Sequence, residues 1–103
     1  MIFVIDIGNT NVCLAGVEGD RICFAEKVPT EPGWTREEYL EKVKPLMGEL
    51  SRYEGAVLSS VVPAVAEKLE WVVRTVMGKA PVIVTKDIDH GLTLDVEYPE
   101  KVG

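Results

Sequence analysis

Residues 6 to 11 form the group of side chains in this chain best suited to chemistry at a single point. They directly follow the apolar run 1–5 and read Asp6-Ile7-Gly8-Asn9-Thr10-Asn11. A carboxylate can hold Mg²⁺ or its water shell, and amide and hydroxyl groups beside a glycine can donate to phosphate oxygens. The segment therefore indicates a turn that binds phosphate and metal. An ordinary hairpin turn rich in Asn and Gly is the alternative, and the hexapeptide alone leaves both open.

The composition favours one ordinary globular domain. The chain has 103 residues, of which 47% are hydrophobic and 27% charged. Eleven basic against 17 acidic residues give a net charge of −6, which disfavours nucleic acid and anionic membranes as partners. A nucleotide is compatible with this charge, because one bound Mg²⁺ and a few backbone amides can outweigh it locally.

The N-terminal residues and the cysteines predict a cytoplasmic location. The first apolar run is five residues long and lacks a basic flank, so it does not read as a signal peptide, and no run is long enough to span a membrane. The two cysteines lack metal-ligand spacing, which is typical of a reducing compartment. A hairpin turn at Gly19-Asp20 would place Cys23 opposite Gly16 and Cys13 opposite Glu26. We therefore expect no disulfide, and two half-buried cysteines.

The hydrophobic pattern predicts the order strand, strand, strand, helix, strand, helix, strand. This order gives an α/β domain with a mixed sheet and helices on its faces, and it resembles the ribonuclease H-like (actin-like ATPase) fold of the actin and sugar-kinase superfamily. We expect the domain to cover residues 1–85 and a connecting segment to cover 86–103. The predicted strands are 1–7, 11–18, 21–28, 55–62, 81–85 and a short one at 92–98. The predicted helices are 36–50 and 64–77.

The first helix carries a start signal and an internal proline. Thr35 and Glu38 have the spacing of a capping box, and Trp34 and Tyr39 have that of a hydrophobic staple. Pro45 removes a backbone donor, so we expect a kink or a break there.

Three stretches together resemble type III pantothenate kinase, the bacterial enzyme of the first step of coenzyme A synthesis. Each is weak alone, but their order and spacing are specific. The resemblance covers the whole chain and only about the first half of a family member. The stretches are Ile5-Asp6-Ile7-Gly8-Asn9-Thr10-Asn11, Leu58-Ser59-Ser60-Val61-Val62-Pro63 and Pro99-Glu100-Lys101-Val102-Gly103.

The resemblance implies roles for the first stretch. It would be the phosphate-binding loop for ATP, with Asp6 organising Mg²⁺ and the turn wrapping the triphosphate. The expected ATP and Mg²⁺ site is Asp6, Ile7, Gly8, Asn9, Thr10, Asn11, Val12 and Cys13.

The second and third stretches would lie near the acceptor substrate. Ser59 or Ser60 could donate to a phosphate; alternatively Ser60 caps the next helix and Ser59 is a small buried hydroxyl. The family often carries a substrate-contacting tyrosine where this chain has Val96, and Tyr98 is a possible shifted equivalent. Gly103 would begin the Gly-Ala-Asp-Arg stretch of the family.

The resemblance places the catalytic base outside this chain. In the family the Asp after that glycine is thought to take the pantothenate proton, so we expect no catalytic residue here and an inactive isolated 103-residue chain. The implied function is ATP-dependent phosphorylation of pantothenate by a homodimer that needs a monovalent cation, K⁺ or NH₄⁺. Two alternatives are a non-catalytic accessory factor of the same family and another phosphotransferase of the superfamily.

Overall fold

A computed structural model describes residues 1–85 of the chain. Its secondary structure follows the predicted order, which is thereby confirmed. The predicted short strand at 92–98 lies outside the described residues. The elements are β1 (Ile2–Ile7), β2 (Asn11–Glu18), β3 (Arg21–Pro29), α1 (Arg36–Met47), a 3₁₀ turn (Leu50–Arg52), β4 (Gly55–Ser60), α2 (Pro63–Met77) and β5 (Val82–Thr85).

The described strands form one mixed sheet with β1 at its centre. The sheet order is β3-β2-β1-β4-β5. The first three strands pair antiparallel as a meander, whereas β4 pairs parallel to β1 and β5 parallel to β4. Both parallel connections include a helix, the usual crossover between parallel strands. The carboxyl ends of β1, β4 and β5 therefore lie along the same edge of the sheet.

Both described helices pack on one face of this sheet. Alternate side chains of β1 point to that face, and Phe3, Ile5 and Ile7 are fully buried there. Residues of α1 and α2 belong to the same core, which also includes a T-shaped contact between Phe3 and Tyr53 with ring centroids 5.4 Å apart. The opposite face carries Asp6, which lies between two buried isoleucines in the sequence and is half-buried itself.

Helix α1 begins where the capping box predicts. The Glu38 N–H donates to the Thr35 hydroxyl at 3.1 Å, and the Thr35 N–H donates to the Glu38 carboxylate at 2.7 Å. The rings of Trp34 and Tyr39 meet with centroids 5.2 Å apart, as the predicted staple requires. These local contacts fix the first turn of the helix.

The end of α1 differs from the prediction. Pro45 lies inside the helix and does not break it, because the helix continues to Met47. It stops there, three residues before the predicted end, since Gly48 adopts a φ of +72°. Leu50 then starts the separate 3₁₀ turn, which still packs against the core.

The β2–β3 hairpin differs from the predicted register by one residue. Phe24, not Cys23, lies opposite Gly16, because a β-bulge interrupts the ladder between Gly16 and Val17. The bulge lies at a glycine. A Cβ on Gly16 would lie 2.6 Å from Met1 Sδ and closer still to the Phe24 ring. A larger side chain at Gly16 would therefore clash with Met1 and Phe24 in this register.

The bulge also changes the environment of the two cysteines. Cys13 lies opposite Lys27 instead of Glu26. Both thiols are free and exposed, so the prediction of half-buried cysteines was wrong. They are not opposite each other, in agreement with the expectation of no disulfide. Within residues 1–85, no helix is long and apolar enough to cross a bilayer.

We predict that Gly16→Ala lowers the free energy of unfolding by about 1–3 kcal/mol, because the methyl group displaces Phe24 and Met1. Gly55→Ala is the matched control in a strand, since nothing lies within 4 Å of a Cβ at that position. We expect the control to change the value by at most about 0.5 kcal/mol. Urea unfolding of the purified protein, followed by circular dichroism, measures both, and equal values for the two variants would contradict the close approach at Gly16.

Candidate functional site

The polar residues singled out in the sequence meet at the carboxyl end of β1. Asp6 is in register with Cys13 on β2 and with Ser59 on β4. Cross-strand partners lie on the same face of a sheet, so the row Ser59, Asp6, Cys13 lies on the face opposite the core. The row continues to Lys27 on β3, whose side chain is exposed. Four strands thus bring acidic, basic and hydroxyl groups onto one surface.

A hydrogen bond joins the two polar residues on the central parallel strands. The Ser59 hydroxyl donates to Asp6 Oδ1 at 3.1 Å. This bond helps to orient the carboxylate. Ser59 therefore has a defined polar partner, the Asp6 carboxylate. The sequence alone suggests only that Ser59 is a small buried hydroxyl or a phosphate donor.

Ser60 has a different role from its neighbour. Its hydroxyl accepts the N–H of Val62 at 2.8 Å and donates to the Val62 carbonyl at 3.0 Å. Helix α2 has Val62 as its N-cap and Pro63 at its first position, without a side-chain cap. The expectation that Ser60 caps α2 was therefore wrong, because it stabilises the turn just before the cap. Its register partner on β1 is Ile7, on the core side.

The turn between β1 and β2 is tight. The Gly8 N–H donates to the Asn11 carbonyl at 2.9 Å. A Cβ on Gly8 would lie 3.3 Å from that carbonyl oxygen, so the glycine permits a close approach without adopting a positive φ. The side chains of Asn9, Thr10 and Asn11 are exposed. The turn thus presents three uncharged polar side chains to solvent beside Asp6.

The remaining residues of the predicted phosphate loop divide into two kinds. Ile7 and Val12 are fully buried, so their side chains belong to the core and only their backbone faces the turn. Cys13 is exposed on the same face as Asp6. Tyr98, Gly103 and the predicted connecting segment 86–103 lie outside the described residues.

Thr30 contacts this turn and was missed in the sequence. Its hydroxyl donates to the Gly8 carbonyl at 2.8 Å, and its N–H donates to the Thr10 carbonyl at 2.9 Å. The pairing of Asn11 with Pro29 places Thr30 next to the turn. Once the β2–β3 pairing is predicted, the residue after the partner of Asn11 is expected beside the turn, and this residue is Thr30.

The donor set of this site suits a phosphate accompanied by a cation. Asp6 supplies one carboxylate, and the turn supplies amide and hydroxyl donors. No cluster of three or more His, Cys, Asp or Glu side chains able to hold a metal occurs in residues 1–85. Mg²⁺ is usually bound by one or two carboxylates together with substrate phosphates, and a single carboxylate beside amide and hydroxyl donors is compatible with that arrangement.

Sequence comparison identifies the family. The sequence model of type III pantothenate kinase matches residues 2–103. The chain belongs to the type III pantothenate kinase family. Curated type III pantothenate kinases of Exiguobacterium sp. and Brevibacillus brevis are each 36% identical to it over 107 aligned positions. These alignments take in 100% of this chain and 42% of each relative, so the chain spans less than half the length of the type III pantothenate kinases it matches.

Solved structures show the fold. An Aquifex aeolicus Ppx/GppA enzyme aligns with a TM-score of 0.50 at 18% identity, over 84% of this chain and 36% of that one. A Porphyromonas gingivalis protein named as an N-acetylglucosamine kinase aligns with a TM-score of 0.62 at 17% identity, over 82% of this chain and 33% of that one. These likenesses confirm the predicted ribonuclease H-like α/β fold for this member of the type III pantothenate kinase family.

We predict that Asp6 and Ser59 are energetically coupled. In a double-mutant cycle of Asp6→Ala and Ser59→Ala, we expect the unfolding free energies to deviate from additivity by about 1 kcal/mol, because each single change already breaks the bond. The cycle of Asp6→Ala with Ser60→Ala is the matched control and should be additive, since Ser60 lies on the other face. Additivity in the first cycle would contradict a bond between Asp6 and Ser59.

Proposed function

We propose that the protein is a type III pantothenate kinase, which transfers the γ-phosphoryl group of ATP to the hydroxyl of pantothenate, and that these residues are its N-terminal part. The observation that carries the proposal is the position of Asp6. It stands at the carboxyl end of the central strand, hydrogen-bonded by Ser59 and directly before a turn of exposed polar residues. Open α/β sheets bind their ligands at this edge. Membership of the type III pantothenate kinase family indicates the reaction, phosphoryl transfer from ATP, for which this edge would bind the nucleotide.

The proposed ATP site is residues 6–13. The exposed side chains and backbone amides of the turn would contact the phosphates, and Asp6 would hold the Mg²⁺ that accompanies ATP. Bound Mg²⁺ would neutralise charge on the phosphates. Phosphoryl transfer depends on positioning and on charge stabilisation, so a rigid turn beside an oriented carboxylate is a suitable contribution from this part of the protein.

The acceptor side of the reaction rests on the resemblance. Its proton acceptor is the Asp expected just beyond Gly103, and Gly103 and Tyr98 are the proposed pantothenate contacts. The bond from Ser59 to Asp6 favours a role for Ser59 at the carboxylate over direct contact with pantothenate. The bonds of Ser60 to Val62 likewise favour a structural role.

The remaining properties of the family complete the proposal. We propose a homodimer in the cytoplasm that uses a monovalent cation, K⁺ or NH₄⁺, whose site lies outside this chain. The boundary between the phosphate-binding domain, 1–85, and the connecting segment, 86–103, belongs to the proposal as well. The net charge of −6 disfavours nucleic acid as a partner, whereas a nucleotide bound with Mg²⁺ is compatible with it.

Activity measurements test the function directly. We expect the complete protein that carries these residues to form phosphopantothenate with ATP, and the isolated 103-residue chain to turn over none. In the complete protein, Asp6→Asn should lower kcat/KM by about 100-fold or more, because it removes the charge that holds the cation. Glu37→Gln, an exposed carboxylate on α1, is the matched control and should leave kcat/KM unchanged.

Activity retained by Asp6→Asn, or turnover by the isolated chain, would contradict these roles. ATP binding without turnover by the complete protein would favour the accessory-factor alternative.

The two cysteines provide a test that needs no turnover. Cys13 lies across the ladder from Asp6, whereas Cys23 lies near the opposite end of the hairpin, and both are exposed. At ten times its Kd, MgATP should slow alkylation of Cys13 about tenfold, the factor by which it depletes the free protein. Cys23 should react at the same rate with and without nucleotide. Mass spectrometry of the iodoacetamide-treated protein measures both rates, and equal protection of both thiols would argue against a site at this turn.

A further inference from the structure

Three carbonyl groups of the β1–β2 turn accept hydrogen bonds within the protein. The Asn11 carbonyl accepts the N–H of Gly8 at 2.9 Å. The Gly8 carbonyl accepts the Thr30 hydroxyl at 2.8 Å, and the Thr10 carbonyl accepts the Thr30 N–H at 2.9 Å. Two of these three bonds come from one residue, which reaches the turn from the connection between β3 and α1.

These bonds decide which way the peptide groups of the turn face. No cis peptide occurs among residues 1–85. In a planar trans peptide the C=O and the following N–H point in opposite directions. When Thr30 draws the Gly8 carbonyl toward itself, the N–H of Asn9 is turned away from Thr30. An anion at the turn then meets an N–H donor, and the oxygen that would repel it faces the other way.

Thr30 is itself held by a buried tyrosine. The Tyr39 hydroxyl accepts the N–H of Glu31 at 2.8 Å and donates to the carbonyl of Pro29 at 3.1 Å, so it fixes the residues on both sides of Thr30. Tyr39 is 0% exposed, and its ring contacts Trp34. Burial raises the pKa of the Tyr39 phenol above its usual 10.0, which keeps the donor protonated. Tyr39, a residue of α1 in the hydrophobic core, therefore helps to fix the position of Thr30.

We propose that Thr30 is a positioning residue of the nucleotide site: through its bond to Gly8 it orients the turn amides toward the phosphates of ATP, and Tyr39 holds it in place. This rests on the proposed function of the turn. Thr30 would act through the turn backbone without touching the nucleotide. Its substitution should therefore weaken nucleotide binding even where the fold and Asp6 are intact.

The test compares two substitutions of similar size in the complete protein. Thr30→Ser keeps the hydroxyl, whereas Thr30→Val keeps the shape and the backbone N–H and loses the hydroxyl. We expect Thr30→Val to raise the Kd and the KM for MgATP about tenfold, as loss of one hydrogen bond predicts, with a smaller effect on kcat. Thr30→Ser should stay within about twofold of the parent protein. Isothermal titration calorimetry with MgATP gives the Kd without relying on turnover.

The outcomes separate this proposal from a structural role and from the proposed function. A merely structural residue would change the thermal midpoint and the active fraction, leaving the Kd of the folded protein unchanged; that result for Thr30→Val would overturn the proposal. If Thr30→Val does not fold, Tyr39→Phe applies the same test one bond further away, and an unchanged Kd would again overturn it. If the parent protein itself binds no MgATP, the proposed function fails and this inference fails with it.

Discussion

The alternation of side chains along β1 is the constraint on which the rest of the structure depends. Phe3, Ile5 and Ile7 are fully buried under the two helices, so the residue between the isoleucines must point to the opposite face. A shift of one residue in register would turn the Asp6 carboxylate into the core and three large apolar side chains out of it. Burying an unpaired charge costs several kcal/mol. The hydrophobic core therefore fixes where the carboxylate stands.

Placement of the carboxylate in turn organises its neighbours. The parallel partner β4 brings Ser59 beside Asp6, and the antiparallel partner β2 brings Cys13. The turn that joins β1 to β2 must follow within a few residues, so its backbone lies close to the carboxylate. Thr30 reaches this turn because β3 ends beside it. The site thus forms where the core aligns the ends of several strands. Its hydrogen bonds from Ser59 to Asp6 and from Thr30 to Gly8 join residues that are far apart in the sequence.

Features set by neighbouring residues could be predicted from the sequence, whereas features set by packing could not. The strand order and the start of α1 depend on apolar runs, turn residues and a capping box, each readable within a few positions. The predicted end of helix 36–50 was wrong. The apolar spacing continues past Gly48, but Gly48 adopts a positive φ and the helix stops before it. Gly16 lies close to Met1, and Thr30 donates to a carbonyl 22 residues earlier. Neither contact is visible within a few neighbouring positions, and Thr30 could be placed only by counting across the hairpin.

The proposed phosphate-binding turn has no basic side chain of its own, so it would need another source of positive potential. The segment from Asp6 to Cys13 contains no Lys, Arg or His, and the chain carries a net charge of −6. Backbone N–H groups supply fixed partial charges that do not depend on that balance, but only when their peptide groups are held in one orientation. A free turn would present carbonyl oxygens to the anion as readily as amides. The two bonds from Thr30 and the buried phenol behind them restrict that freedom. If the turn binds phosphate as proposed, this conformational constraint would supply what a lysine supplies in other phosphate sites.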